Sequence, residues 1–270
     1  MLYKGRETPI RIDNGGFVAC PAMPGWVDPL SRDHGLGPLA MIVRSSLDPG
    51  RVIAMHEHRN DEIISWVPDG VMRHDDQSHG KLMTDAGHLM VMNAGRSFRH
   101  SEETRADDPP LDMLQIFVRP TAPDLEPVIQ HGPVPPAMTG AWRHLVGPEG
   151  SSAPFFVRNT VDIHDIRLVA GSDGRFPVMD GRDLYFYVFS GAIRAGGKSF
   201  TAAEQGLLRG GGDLGLVASS DAILVAFLVD PRAVVSRSGT IGDHARLPPV
   251  ALFRLFSLWK RLQRRWRRRS

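Results

Sequence analysis

The chain has 270 residues, 42% apolar and 23% charged, with a net charge of +2, which is room for one large or two modest cores and excludes a fibrous or wholly disordered class. No run approaches 18 apolar residues, and the opening Met1-Leu2-Tyr3-Lys4-Gly5-Arg6-Glu7 lacks the apolar core of a signal peptide, so neither a membrane span nor secretion is expected. The lone Cys20 can close no internal disulfide, is read as a small packed side chain, and fits a cytoplasmic location.

The 28 Gly and 21 Pro fall among short hydrophobic runs, which predicts strands joined by turns and an all-β fold. Residues 1–40 read as lead-in strands and a loop over a barrel mouth. A turn at Asp48-Pro49-Gly50 then introduces Arg51 to His58, with Val52, Ala54, His56 and His58 on one face. Glu62 to Val67 reads as the return strand, Asp69-Gly70 as a turn, and Asp75 to Gly80 as a polar loop. Leu89 to Met92 is the next strand, and Asn93-Ala94-Gly95 turns the chain toward His100-Ser101-Glu102. Leu114 to Val118 closes this half.

Six prolines between Pro120 and Pro136 predict an irregular linker. Beyond it Tyr187 to Arg194 echoes Trp66 to Arg73, a weak repeat that suggests two stacked barrels. No histidine occurs between His164 and His244, so the second barrel is expected to hold no metal and to act as structure or as a pocket wall.

The chemistry is concentrated in His56-Glu57-His58 and His100-Ser101-Glu102. Each places two metal-capable side chains at i and i+2, on one face of a strand, so four ligands can converge. Histidines with one carboxylate and no cysteine suit iron, manganese, cobalt, nickel or copper rather than a structural zinc knot. Either pair alone could be an accident of the surface; two such pairs about 40 residues apart count against it.

Glu62 is expected to orient a histidine, with ligation as the lesser alternative; His74, His79 and His88 are expected to be solvated near turns rather than ligands, although a pocket rim could include one. Met55, Trp66 and Met92 are candidates for the pocket wall, on faces that parity leaves open. Gly210-x-Gly212-x-x-Gly215 matches the dinucleotide fingerprint as a string, but strand-like Leu216-Val217 follows it, so a barrel turn is expected.

Residues 250–270 carry eight of the 32 basic residues and no acidic one, leaving 24 basic against 30 acidic in the body. Leu255, Trp259, Leu262 and Trp266 recur at helical spacing, which predicts a basic amphipathic helix beyond Pro248-Pro249. Docking on the acidic body and peripheral contact with an anionic membrane are its two leading fates, and nucleic acid is disfavoured.

Gly50, His56-x-His58, Glu62 and Gly70, followed by Gly87, Asn93-Ala94-Gly95 and His100, resemble the two cupin motifs. The five-residue gap from Gly95 to His100, with His58-Arg59, Ala94-Gly95-Arg96 and Leu114-Gln115-Ile116, is similar to the pirin family from about residue 38 to 120, and more loosely from 155 to 230. Glu57 stands where pirins usually have proline, and Ser97 where they have glycine. The resemblance implies a bicupin of two stacked antiparallel β-barrels (double-stranded β-helices). It would have a metal-binding cupin at 1–122, a linker at 123–150, a degenerate cupin at 151–232, and a linker with the basic helix at 233–270. It also implies one divalent metal per chain, iron above all, on His56, His58, His100 and Glu102, and a quercetin 2,3-dioxygenase-like activity on an aromatic substrate and dioxygen. In that activity Glu102 is the candidate general base. A non-enzymatic metal-bound regulator is the rival reading, and an isomerase on the same scaffold a third.

Overall fold

The principal runs, such as Leu111 to Val118, Asp183 to Ser190 and Ala222 to Val229, are short and apolar nearly throughout, and such runs satisfy their backbone groups by pairing side by side. The computed structural model describes residues 1–5, 10–76 and 80–242, and among these the regular structure is β-strand apart from one 3-10 turn at Pro24–Val27. The first strands are β1 (Leu2–Gly5), β2 (Ile12–Asp13), β3 (Phe17–Ala22), β4 (Leu39–Leu47), β5 (Val52–His58), β6 (Glu62–Asp69), β7 (Met72–Asp76) and β8 (Gly80–Thr84). There follow β9 (His88–Asn93), β10 (Phe98–Glu103), β11 (Leu111–Val118), β12 (Val128–Pro133), β13 (Arg143–Pro148), β14 (Phe155–Val157) and β15 (Val161–Leu168). The last are β16 (Asp173–Arg175), β17 (Asp183–Ser190), β18 (Ala192–Ala195), β19 (Lys198–Thr201), β20 (Gln205–Leu208), β21 (Gly215–Ala218) and β22 (Ala222–Val229).

Two seven-stranded sheets run β12-β9-β6-β11-β4-β3-β2 and β1-β20-β17-β22-β15-β13-β14, and two four-stranded sheets run β5-β10-β7-β8 and β16-β21-β18-β19. The orders correspond strand for strand through β9-β6-β11-β4-β3 and β20-β17-β22-β15-β13, so the chain is one barrel topology used twice. Gly70 and Gly191 mark the shared turn, at φ 89° and 75°, where a Cβ would strike the Pro110 and Asp221 carbonyls.

Three apolar layers follow because the large-sheet strands are buried on both faces. Met72, Met90, Met92, Phe98, Met113 and Phe117 fill the first barrel, and Ile166, Phe186, Phe200, Leu216 and Leu224 fill the second. Between the two large sheets lie Ile64, Trp66, Leu114, Ile116, Tyr185 and Phe227. The all-β, two-barrel expectation therefore holds. No helix among the described residues is long and apolar enough to cross a membrane.

The barrels exchange edges. β1 pairs with β20 of the second barrel rather than opening the first, and β12 extends the first barrel through β9. The stretch expected to be an irregular linker thus carries β12 and β13, because the proline cluster leaves Val128 to Gly132 free to donate to a ladder. Beyond the second barrel the chain returns to the first, where Thr240 N–H donates to Arg59 O at 3.0 Å and Ile241 and Gly242 donate to Asp61 at 3.0 Å each. The expected basic helix lies outside the described residues.

Candidate metal centre

Strands β5, β10 and β7 are neighbours in the small sheet of the first barrel, and each presents an i, i+2 pair on one face. His56 and His100 are direct Cα partners across β5 and β10. A register shift after His100 gives Glu102 Ile53 as its partner, yet Glu102 stays buried while Glu103 turns toward Lys81 at 3.6 Å.

Ring centroids of His56, His58 and His100 are 4.3 to 5.2 Å apart, and one ring nitrogen from each lies within 4.8 Å of the others. His56 Nδ1 donates to Ala54 O at 2.9 Å, which leaves Nε2 with its lone pair. The Thr240 hydroxyl donates to Asp61 and therefore accepts from His58 Nδ1 at 3.3 Å, which frees His58 Nε2 in the same way. Both nitrogens of the fully buried His100 lack a hydrogen-bond partner. Burial, then the neighbouring His58, lowers the His56 imidazole to about 4, and burial with the surrounding histidines lowers His100 further. His56 and His100 are therefore neutral lone-pair donors at neutral pH.

Glu102 Oε1 accepts from Gln115 Nε2 at 2.7 Å and lies 3.8 Å from His100 Nδ1. Its carboxylate stands beside the three converging nitrogens, not among them. Burial pushes its carboxyl up to about 7, against the opposing Gln115 hydrogen bond. A cation at this point would supply a counter-charge for Glu102 and a partner for one of the orphaned His100 nitrogens, so the residues fit a borderline divalent metal.

Other candidates fall elsewhere. Glu62 neither ligates nor orients a histidine: its carboxylate accepts from Arg158 Nη2 at 2.7 Å, Arg158 Nε at 2.9 Å and Asn93, and so joins the barrels. Trp66 faces the second barrel, its Nε1 donating to Asp165 at 3.0 Å, whereas Met92 faces the first barrel interior and Met55 is half-buried. His88 sits beside its turn as expected, His79 lies outside the described residues, and Gly210 to Gly215 forms the loop into β21.

His74 corrects the sequence reading. It is fully buried, donates from Nε2 to Asp76 Oδ2 at 2.9 Å, and stacks on His100 with centroids 5.1 Å apart. The signal was His74-x-Asp76, a third i, i+2 pair.

Residues 27–118 match the Pirin family model. A Pseudomonas aeruginosa protein named, provisionally, a quercetin 2,3-dioxygenase is 28% identical over 64% of this chain and 74% of its own length. The quercetin 2,3-dioxygenase of Escherichia coli K12 is 29% identical over 34% of this chain, and the chain spans 40% of that relative's length. The crystal structure of YhhW from Escherichia coli superposes with a TM-score of 0.73 at 18% identity, covering 85% of this chain and 97% of the other. The bacterial pirin YhhW in complex with nickel(II) gives 0.72 at 18% identity, covering 85% and 99%. The pirin resemblance read from the motifs therefore holds, and the fold is the bicupin of the bacterial pirins.

Proposed function

We propose that the first barrel holds a divalent first-row metal, iron(II) by preference, on His56, His58, His100 and Glu102, and that the protein is a dioxygenase of flavonol-like or enediol-bearing aromatic substrates. The observation that carries this reading is geometric: one ring nitrogen from each of His56, His58 and His100 lies within 4.8 Å of the others, beside the buried Glu102 carboxylate. The names of the relatives support it.

When bound, the ion supplies a Lewis-acidic, redox-active centre with open positions for substrate and dioxygen. The chain supplies the rest. Ala54 O and Thr240 fix the His56 and His58 tautomers, so neither ring needs to reorient as it binds. Phe98, Phe117, Met90 and Met92 keep the interior apolar. Gln115 holds Glu102 Oε1 at 2.7 Å, and Glu102 is the carboxylate beside the three imidazoles placed to accept the hydroxyl proton of an enol.

Oxygen uptake by iron-loaded protein with quercetin tests this reading. Uptake with ring-opened product, abolished in His56→Ala, is expected. Silence of fully loaded protein across a flavonol panel would overturn the dioxygenase and favour a metal-bound regulator.

A further inference from the structure

We propose that His144, Asp162 and His164 form a second divalent-metal site, inside the second barrel. Along β15 the parity is plain: Val161 and Ile163 pack between the large sheets, while Ile166 and Leu168 pack inside the second barrel. Asp162 and His164 share the inward parity of Ile166 and Leu168. His144 is the direct Cα partner of His164 across β13, the relationship that His100 has to His56 in the first barrel. The ring centroids are 4.4 Å apart, against 4.3 Å for His56 and His100.

The hydrogen bonding points to a missing ligand. Eight buried side-chain polar atoms lack a hydrogen-bond partner among the described residues, and six of them belong to two clusters. Three are on His74 and His100 at the first metal centre; the others are His144 Nε2, Asp162 Oδ2 and His164 Nδ1. His144 Nε2 is 3.1 Å from Asp162 Oδ1 but not aligned to donate to it. Arg182 approaches Asp162 Oδ2 only to 3.8 Å, because its Nη1 is committed to Thr160 O at 2.8 Å. Two imidazoles and one carboxylate with open positions suit cobalt, nickel, iron or zinc. The rings stack within 9° of parallel, so closing the three donors on an ion takes a rotation of one imidazole.

This site is not the first one repeated. The counterparts of β5 and β10 are β16 and β21, Asp173–Arg175 and Gly215–Ala218, which carry no histidine. The donors lie instead on the large sheet, and they are independent of the dioxygenase reading. Both histidines precede residue 165, since β13 and β15 already belong to this barrel.

The test uses full-length protein with His56→Ala and His58→Ala together, which clears the first site, titrated with cobalt(II) after chelation. One cobalt per chain with visible d–d bands is expected, and adding His144→Ala and His164→Ala should abolish it. Asp162→Asn, nearly isosteric, should weaken cobalt by about tenfold or more, and decides the matter if the quadruple variant does not fold. No cobalt bound by the first-barrel variant, or cobalt unchanged by Asp162→Asn, would overturn the proposal.

Discussion

The Thr240 hydroxyl lies 3.3 Å from His58 Nδ1, although 182 residues separate them. A segment that has already left the second barrel thus fixes the tautomer of a candidate ligand in the first.

Thr240→Val should therefore weaken metal binding by about 10- to 100-fold, the usual effect of removing the partner of a ligating histidine. Competition with a chelator measures it. Unaltered affinity would mean that Asp61, 3.9 Å from the same nitrogen, suffices alone.

The Glu62–Arg158 pair makes a contrasting prediction. Glu62 is fully buried and faces the second barrel, so Glu62→Ala strands a largely buried guanidinium. Breaking one side of such a pair costs about 3–5 kcal/mol. Urea unfolding should show that loss while metal content stays unchanged. Metal loss as complete as in His56→Ala would return Glu62 to the ligand set.

Acid should destabilise the metal-free protein. The His56 imidazole titrates near 4 in the folded state against 6.5 when unfolded, and His164 likewise near 4, with burial the first cause of both. His74 and His100 shift in the same direction. Between about pH 6.5 and 4 the unfolded chain binds more protons, so the stability is full above 6.5 and falls as pH falls. Glu102, raised to about 7, has the opposite sign: its contribution is present at low pH and lost as pH rises toward 7. Four histidines against one carboxyl leave a net loss on acidification, and Glu102→Gln should steepen it. Chelated protein melted at pH 7 and pH 5 checks this; a higher melting temperature at pH 5 would contradict it.

Strand parity alone puts His56 with His58 and His100 with Glu102, because i and i+2 share a face whatever the strand pairs with, and the structure brings the three imidazoles together with Glu102 beside them. Gly70 and Gly191 were legible as one repeated turn for a similarly local reason, a left-handed backbone. What parity cannot supply is the partner. The sequence places Glu62 near the metal centre because the cation that claims it, Arg158, stands 96 residues away. His74 looks solvated in the sequence because Asp75 and Asp76 beside it are polar, whereas β7 is an inner strand between β8 and β10. The exchanged strands β1 and β12, and the return of Thr240 to His58, are long-range pairings with no local signature.

Elemental analysis of full-length protein purified without added metal tests the central claim most directly, comparing wild type with His56→Ala, His58→Ala, His100→Ala and Glu102→Ala. Each substitution should lower the content by most of one ion per chain, the three histidines at least as strongly as Glu102, whose carboxylate stands beside the converging nitrogens rather than among them. Wild-type metal content in all three folded histidine variants would contradict the account.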